Sequence, residues 1–159
     1  MDKNKKLCSG GYLALEDSLV FGTLMKISTS KNKKKTREEV KRAITDDKYV
    51  QGFEKYDNLR DKLLDIAIVI YISKTNYKKQ DVDNIAKVVL DSLKRELFND
   101  DSQVIRLLVY KKEIARQEDA ETFQIAISVR KHDISKDMIL ENIGPYNEEE
   151  ARERGILND

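Results

Sequence analysis

The chain has 159 residues, enough for one domain with a substantial core and too few for two. Charged residues make up 37% and hydrophobic residues 40% of the chain, which is typical of a charge-rich globular protein. A single cysteine, Cys8, excludes an internal disulfide and a multi-cysteine zinc site, and no apolar segment reaches the roughly 20 residues of a membrane span. We therefore expect a cytoplasmic protein that makes no use of a membrane.

The net charge of +1 is unevenly distributed along the chain. Residues 133–159 contain eight acidic and three basic residues, a net of −5, so residues 1–132 carry +6. A basic body with an acidic tail is typical of a protein that binds a phosphate backbone, although ordinary solvated lysines give the same count. We treat 1–132 as one domain and 133–159 as an acidic C-terminal extension without a fold of its own.

The first half of the chain predicts a strand, one or two helices and a second strand. Apolar residues alternate through the later part of 13–27, which indicates a strand. The stretch from Thr36 to Glu39 has the form of a capping box, so we expect a helix from about Arg37 to Asp46. A second helical stretch is expected over 50–59, and the strict alternation over 64–72 indicates the clearest strand of the sequence.

The second half of the chain predicts a helix followed by two strands. The helix begins at Asp83 or Asn84 and runs to about Leu97, with a buried apolar stripe formed by Ile85, Val88, Val89 and Leu93. A strand over 103–112 has Ile105, Leu107 and Val109 on one face, and a strand over 123–129 is expected to pair with it as a hairpin. Beyond residue 133 we expect a short helix and an amphipathic tail.

The resulting order, β-α-β-α-β-β-α, predicts a single α+β domain (mixed α/β). We expect a mixed β-sheet of about four strands with helices packed on it. If the strands at either end of the 64–110 segment are parallel neighbours, the helix between them forms a crossover connection.

Two carboxylates lie at the start of the helix over 83–97. Asp81 and Asp83 are two residues apart on an extended approach to this helix, so their side chains can project to the same side. Neighbouring carboxylates repel each other unless a cation lies between them, and hard divalent cations such as Mg²⁺ prefer oxygen ligands. The pair is therefore a candidate metal site.

A second acidic pair, Asp100 and Asp101, follows the other end of the helix, where acidic residues are also common in ordinary turns. A helix of about 14 residues is roughly 21 Å long, so its two ends cannot share one ion. Either the loop 96–102 folds back toward Asp81, or the next strand begins beside Asp83, or a symmetric dimer joins the two pairs.

A polar stripe runs along the helix beside the buried one. Asp83, Lys87 and Asp91 follow each other at intervals of four residues and so lie on one face. Lys87 can stabilise charge on a phosphoryl oxygen or orient an attacking water. An ordinary ladder of surface ion pairs is the alternative.

Several other chemistries are excluded or disfavoured by the sequence. The only histidine, His132, cannot build a histidine-rich zinc site, and we expect it to be an ordinary surface residue. The pair Gly10 and Gly11 lacks the spacing of a phosphate-binding loop, which disfavours nucleotide-driven chemistry.

The acidic motif resembles that of the RusA family of Holliday junction resolvases. The residues that carry the resemblance are Asp81-Val-Asp83-Asn84-Ile-Ala-Lys87-Val-Val-Leu-Asp91-Ser-Leu and, further on, Asn99-Asp-Asp101-Ser-Gln103-Val104. The match is strong over 81–104 and extends by strand pattern to about 64–130. It implies a small homodimeric, Mg²⁺-dependent endonuclease, with Mn²⁺ able to substitute, that cuts branched DNA at four-way junctions.

The resemblance also implies roles for individual residues. Asp81, Asp83 and Asp101 would be the catalytic carboxylates that bind the metal, and Lys87 would be the essential lysine. The secondary motif residues, without an assigned catalytic role, are Asn84, Asp91, Asp100 and Gln103, and Asp91 is a candidate to orient Lys87. The lysines expected to contact DNA are Lys33, Lys34, Lys35, Lys78 and Lys79.

The chain departs from the family pattern in the segment after the first strand, a region on which substrate choice would depend. Its only proline is Pro145, so the proline- and arginine-containing segment that follows the first strand in many members is replaced by lysines. A structure-selective nuclease acting on flaps or forks is therefore an alternative, as is a non-catalytic DNA-binding protein with the same fold.

Overall fold

In the computed structural model, the described residues form four long segments and several shorter ones. The long segments are 59–78, 80–94, 96–113 and 122–136, and the shorter ones are 6–7, 13–14, 18–26, 34, 37–38, 41–42, 51–52, 138 and 148–153.

The described strands and helices follow one another in the order below. The strands are β1 (Lys6–Leu7), β2 (Leu13–Ala14), β3 (Ser18–Lys26), β4 (Gln51–Gly52), β5 (Leu64–Ile72), β6 (Val104–Glu113) and β7 (Thr122–Lys131). The helices are α1 (Val82–Leu93) and α2 (Glu148–Glu153), with single 3-10 turns at Lys74–Asn76 and Asp101–Gln103. Residues 34, 37, 38, 41 and 42 are also helical, within or beside the helix predicted from Arg37.

Five of the strands form one mixed sheet in the order β4-β3-β7-β5-β6. β5 pairs parallel with β6 on one side and antiparallel with β7 on the other, while β3 pairs antiparallel with β7 and β4. The expected α+β class with a mixed sheet is confirmed, although the sheet has five strands rather than about four. The parallel β5–α1–β6 crossover is also as expected.

The predicted hairpin between β6 and β7 is wrong, because β5 lies between these two strands. All nine residues of β5 are buried. A strand that is covered on both faces is best placed in the middle of a sheet, so β5 takes a neighbour on each side.

Helix α1 covers one face of β5 and β6. The predicted apolar stripe is confirmed, since Ile85, Val88, Val89 and Leu93 are all buried. Burying one such side chain stabilises the fold by roughly 1.5–3 kcal/mol. The helix ends at Leu93 rather than near Leu97, because Lys94 leaves the helical conformation.

A further expectation is corrected by the sheet. Gln51 and Gly52, inside the second predicted helix of 50–59, form strand β4 against β3. On β6, two of the apolar residues that were predicted to share a face, Ile105 and Leu107, are 46% and 44% exposed. A register shift between Leu64 and Asp65 interrupts the pairing of β5 with β6 at this point.

No helix in the described part of the chain is long and apolar enough to cross a membrane.

Candidate metal centre

Asp81 and Asp83 lie together at the N-terminal end of α1. Asp81 is the N-cap residue, with extended backbone angles of φ −89° and ψ 134°, and its carboxylate accepts no hydrogen bond from the helix backbone. The Asn84 side-chain amide lies 3.5 Å from one Asp81 oxygen, the outer limit of a hydrogen bond. Both aspartates are exposed, and the positive end of the helix dipole favours negative charge here.

The loop that leads from β5 to Asp81 is held by a reciprocal contact with β6. The Tyr77 hydroxyl donates to the Lys111 carbonyl at 3.1 Å, and the Lys111 ammonium donates to the Tyr77 carbonyl. The same ammonium lies 5.4 Å from the centre of the Tyr77 ring. This contact, the Tyr77–Lys111 clamp, ties the approach to Asp81 to the C-terminal half of β6.

Asp101 lies at the opposite end of α1. Its carboxylate is 3.7 Å from the ammonium of Lys94, which is the C-cap residue of the helix. The twelve residues of α1 separate the N-cap Asp81 from Lys94, and at about 1.5 Å per residue step the two ends lie roughly 20 Å apart. Moreover, β6 begins opposite Leu64, at the start of β5, and not beside Asp83.

Neither of the two single-chain arrangements that would bring Asp101 close to Asp81 and Asp83 therefore occurs. The loop 96–102 stays at the C-terminal end of α1, and β6 starts far from Asp83. Among the described residues, no group of three or more histidine, cysteine or acidic side chains is arranged to hold a metal ion. Of the three possibilities, a symmetric dimer is the one that stays open.

Gln103 organises the loop that carries Asp101. Its side-chain oxygen accepts from the backbone N–H groups of Asn99 at 2.7 Å and Asp100 at 2.8 Å. Its side-chain amide donates to the backbone carbonyls of Arg60 at 2.9 Å and Lys62 at 2.8 Å. Gln103 thus fastens the Asp101 loop to the segment just before β5, a structural role that explains its place in the motif.

Asp100 is the N-cap residue of the 3-10 turn Asp101–Gln103. Its carboxylate accepts from the Ser102 backbone N–H at 2.9 Å, completing a capping box with Gln103. This hydrogen bond, together with one from the Ser102 side chain, lowers the pKa of Asp100 below its ordinary value. Asp100 is thus engaged within its own turn.

The polar stripe of α1 is arranged differently from the expected ladder. Lys87 is exposed on the helix surface, as required of a residue that meets a phosphate. Asp91 pairs with Arg37 at 3.4 Å, so its partner in the described structure is Arg37 rather than Lys87. The pair links α1 to the helical residues near 37.

Of the lysines predicted to contact DNA, Lys34 and Lys78 are exposed. Lys33, Lys35 and Lys79 lie outside the described residues.

A buried charge network that the sequence did not reveal lies on the other face of the sheet. The Asp65 side chain is fully buried, and it meets the guanidinium groups of Arg106 and of Arg130, the latter at 4.0 Å. The His132 ring nitrogen Nδ1 lies 2.8 Å from one Asp65 oxygen, and the Asp133 backbone N–H donates to the other at 3.1 Å. The expectation that His132 is an ordinary surface residue is therefore wrong.

The network keeps Asp65 ionised. Burial raises the pKa of the Asp65 carboxyl, but hydrogen bonds from Arg106, His132 and the Asp133 backbone outweigh this and lower the pKa from 3.8 to about 2. Arg106 also donates to the Lys136 carbonyl at 2.9 Å, so the network holds the first residues of the acidic extension against the sheet. The sequence signal for this network is Asp65 itself, the charged residue of an otherwise apolar strand. A buried carboxylate needs cationic partners, so such a residue predicts basic side chains beside it.

Fold and site together define an α+β domain that presents two exposed carboxylates at the N-terminus of its crossover helix. The family profile described as "Endodeoxyribonuclease RusA" matches residues 21–128, about two thirds of the chain. The chain belongs to the RusA family, which is a family of nucleases, as the motif over 81–104 predicted. The matched region contains the acidic motif and both ends of α1.

The remaining comparisons add little. Among solved structures, CetZ from Methanosaeta thermophila strain DSM 6194 aligns with a TM-score of 0.34 and 13% identity, over 74% of this chain and 26% of that one. This chain thus spans about a quarter of that protein, and a similarity so slight supports no argument about fold or function. No curated protein matches the chain.

Proposed function

We propose that the protein is a Mg²⁺-dependent endodeoxyribonuclease that cuts branched DNA, with four-way junctions as its substrate and Mn²⁺ as an effective substitute. The observation that carries the proposal is the exposed pair Asp81 and Asp83 at the N-terminus of α1, within the region that matches the nuclease family.

The donor atoms at this position suit a hard divalent cation. Asp81 and Asp83 offer carboxylate oxygens at the surface, and the only hydrogen-bond partner described for the Asp81 carboxylate is the weakly placed Asn84 amide. When bound, such an ion supplies charge stabilisation at a phosphate oxygen and lowers the pKa of a coordinated water. Asp81, Asp83 and Asp101 would hold it.

The distance between the two ends of α1 favours a centre built from two subunits. In a dimer with two-fold symmetry, antiparallel α1 helices bring the Asp81 end of one helix to the Asp101 end of the other. Each dimer then has two equivalent centres, as paired cuts on a four-way junction require. The existing Lys94–Asp101 contact is solvent-exposed and weak, so it opposes this rearrangement little.

Basic residues around the centre account for DNA binding. Lys87 lies one helical turn from Asp83 and is exposed, so its ammonium can neutralise a phosphate oxygen near the acidic pair. Lys34 and Lys78 provide further positive charge at the surface. Affinity that depends on such contacts falls steeply with salt, because phosphate neutralisation releases counterions.

A cleavage assay tests the activity. Labelled four-way, flap and duplex DNA are incubated with and without Mg²⁺, using the unmodified protein and the Asp81→Asn and Asp83→Asn variants. We expect metal-dependent cutting of the four-way junction that both substitutions abolish, while Asp61→Asn, which changes another exposed aspartate, leaves it intact. Binding without cleavage under every metal condition refutes the proposal that the protein is an enzyme. Equal cutting of flap and four-way DNA would instead indicate a general structure-selective nuclease.

Mixing two inactive variants tests the two-subunit centre. Each heterodimer of an Asp81→Asn/Asp83→Asn chain with an Asp101→Asn chain has one centre with all three aspartates. We expect the mixture, after exchange of subunits, to regain single-strand cutting that neither variant shows alone. If three aspartates of one chain form the centre, mixing restores nothing.

A further inference from the structure

The sheet has two faces, and α1 packs on one of them. The core beneath α1 takes the even-numbered residues of β5 and the odd-numbered residues of β7 from 123 to 129. Because side chains alternate along a strand, the residues between them lie on the opposite face. This distal face consists of Asp65, Ala67, Val69 and Tyr71 on β5 and, paired with them across the strands, Arg130, Ser128, Ala126 and Gln124 on β7.

The distal face is covered in the folded protein. Ala67 and Ala126 are 3% and 0% exposed, and Val69 and Ser128 are also buried. A sheet face left to solvent would expose such side chains, so a further layer of protein packs on it. Since this structure is that of one chain, the cover is another part of the same chain.

Two described positions before β5 lie on the α1 side of the sheet. Arg37 pairs with Asp91 on α1, and Leu59 belongs to the core beneath that helix. The segment between β3 and β5 is thus anchored to α1 and its core at both positions. This favours the C-terminal part of the chain as the cover of the distal face.

The chain passes onto the distal face directly after β7. The Asp133 backbone N–H donates to the buried Asp65 carboxylate at 3.1 Å. The Arg106 guanidinium, which lies on the same face opposite Asp65, donates to the Lys136 carbonyl at 2.9 Å. The first residues of the acidic extension are therefore fastened over one end of the distal face.

The residues that follow are long enough and apolar enough to continue across it. The Met138 sulfur lies 3.8 Å from the Arg130 guanidinium. Ser128 and Ala126 lie two and four residues from Arg130 along β7, which is about 7 and 13 Å. Residues 139–143, Ile-Leu-Glu-Asn-Ile, span up to roughly 17 Å when extended, so they reach both positions.

Charge favours the same part of the chain. Among the described residues of the distal face, the basic Arg106, Lys112 and Arg130 outnumber the acidic Asp65. The extension over 133–159 carries a net charge of −5. Opposite charges on two surfaces favour their contact and fix its orientation.

We propose that the acidic C-terminal extension is the layer that covers the distal face, with Ile139, Leu140 and Ile143 packed on its apolar centre. The Asp65 network fixes the start of this layer. The extension is then a part of the domain fold, and its negative charge lies across the sheet from α1. That this keeps it away from bound DNA rests on the proposed function, whereas the contact itself does not.

Methyl NOE spectroscopy of the unmodified protein tests the contact directly. We expect NOEs from the methyl groups of Ala67 and Ala126 to methyl groups within 139–143. Val89, which lies beneath α1, is the control and is expected to show none to that segment. If neither alanine shows such an NOE, or if both contact the N-terminal residues 1–17 instead, the proposal is overturned.

Thiol reactivity tests whether the extension shields the face. In a Cys8→Ser background, Ser128→Cys places a thiol of similar size on the distal face. We expect the double substitution Ile139→Ser/Ile143→Ser to raise the rate at which this thiol reacts with Ellman's reagent by at least about tenfold. Ile134→Ser is the matched control, because Ile134 is 78% exposed, and it is expected to leave the rate unchanged.

A second thiol separates local uncovering from unfolding. Ala86→Cys lies on the α1 side of the sheet, where Ala86 is buried, and is expected to stay unreactive in the same double variant. Continued protection of Ser128→Cys overturns the proposal, and so does equal exposure of both thiols, since the extension then does not shield the distal face in particular. Neither measurement involves DNA or metal, so the outcome is independent of the nuclease assignment.

Discussion

Replacing Asp65 with asparagine is expected to destabilise the protein substantially and in a way that depends on pH. The substitution keeps the size and one acceptor oxygen of the side chain but removes its charge. Arg106, Arg130 and His132 then face a neutral group in a position where the carboxylate was fully buried.

The magnitude follows from the environment of Asp65. A pKa lowered from 3.8 to about 2 corresponds to about 2 kcal/mol of stabilisation at neutral pH. Removing one partner of a buried ion pair costs about 3–5 kcal/mol, because the remaining charge loses its compensation. Asparagine still accepts a hydrogen bond and Arg106 is 22% exposed, so we expect a loss of about 3 kcal/mol in the free energy of unfolding.

The sign of the pH effect is fixed by the direction of the shift. Because the folded-state pKa of Asp65 lies below the unfolded value, its contribution is complete above pH 5 and is lost as the pH falls through 3.8 toward 2. Between pH 5 and pH 3 the unmodified protein is expected to lose about 1 kcal/mol of stability from this group alone. Asp65→Asn lacks that component.

Urea denaturation followed by circular dichroism at pH 7, 5 and 3 measures both effects. Asp61→Asn is the control, since Asp61 is exposed and lies just before β5. The reasoning is refuted if Asp65→Asn costs less than about 1 kcal/mol at pH 7, well under the expected range for a buried pair. It is also refuted if the difference between the two proteins does not shrink on acidification.

Three further predictions concern the site and its supports. Gln103→Leu removes four side-chain hydrogen bonds and is expected to lower the free energy of unfolding by about 2 kcal/mol. Urea denaturation measures this loss, and we expect a much smaller one for Ser102→Ala. Lys111→Met opens the Tyr77–Lys111 clamp, which holds the approach to Asp81. We expect it to slow junction cutting about tenfold in single-turnover assays with little loss of stability. The control Lys74→Met is expected to change neither the cutting rate nor the stability. Lys78→Ala is expected to reduce the salt dependence of junction affinity by about one counterion in anisotropy titrations, and an unchanged slope would remove Lys78 from the DNA-binding surface.

The elements predicted best from the sequence are those whose evidence is local. The alternation over 64–72 and the apolar stripe of α1 depend only on residues a few positions apart, and both appear where they were expected. The Asp81 and Asp83 pair was found for the same reason, since two residues on one short approach share a neighbourhood whatever the rest of the fold does.

The features that the sequence did not reveal depend on distant parts of the chain. β6 and β7 follow each other along the chain, yet both pair with β5, because the strand that is most apolar takes the centre of the sheet. Asp65 and His132 are 67 residues apart, and only the completed sheet brings them together. The separation of Asp101 from Asp81 likewise depends on a pairing between distant residues, since β6 begins opposite Leu64.

The length of α1 has a consequence for the protein at low concentration. A chain whose acidic residues lie at opposite ends of a helix carries two incomplete halves of a centre, and under the proposed arrangement an isolated copy cannot cut DNA. A newly made chain would then be harmless to the chromosome until it met another. Below the dissociation constant of the dimer, the rate of cutting would rise with the square of the protein concentration. Nuclease activity would then respond more than proportionally to changes in expression.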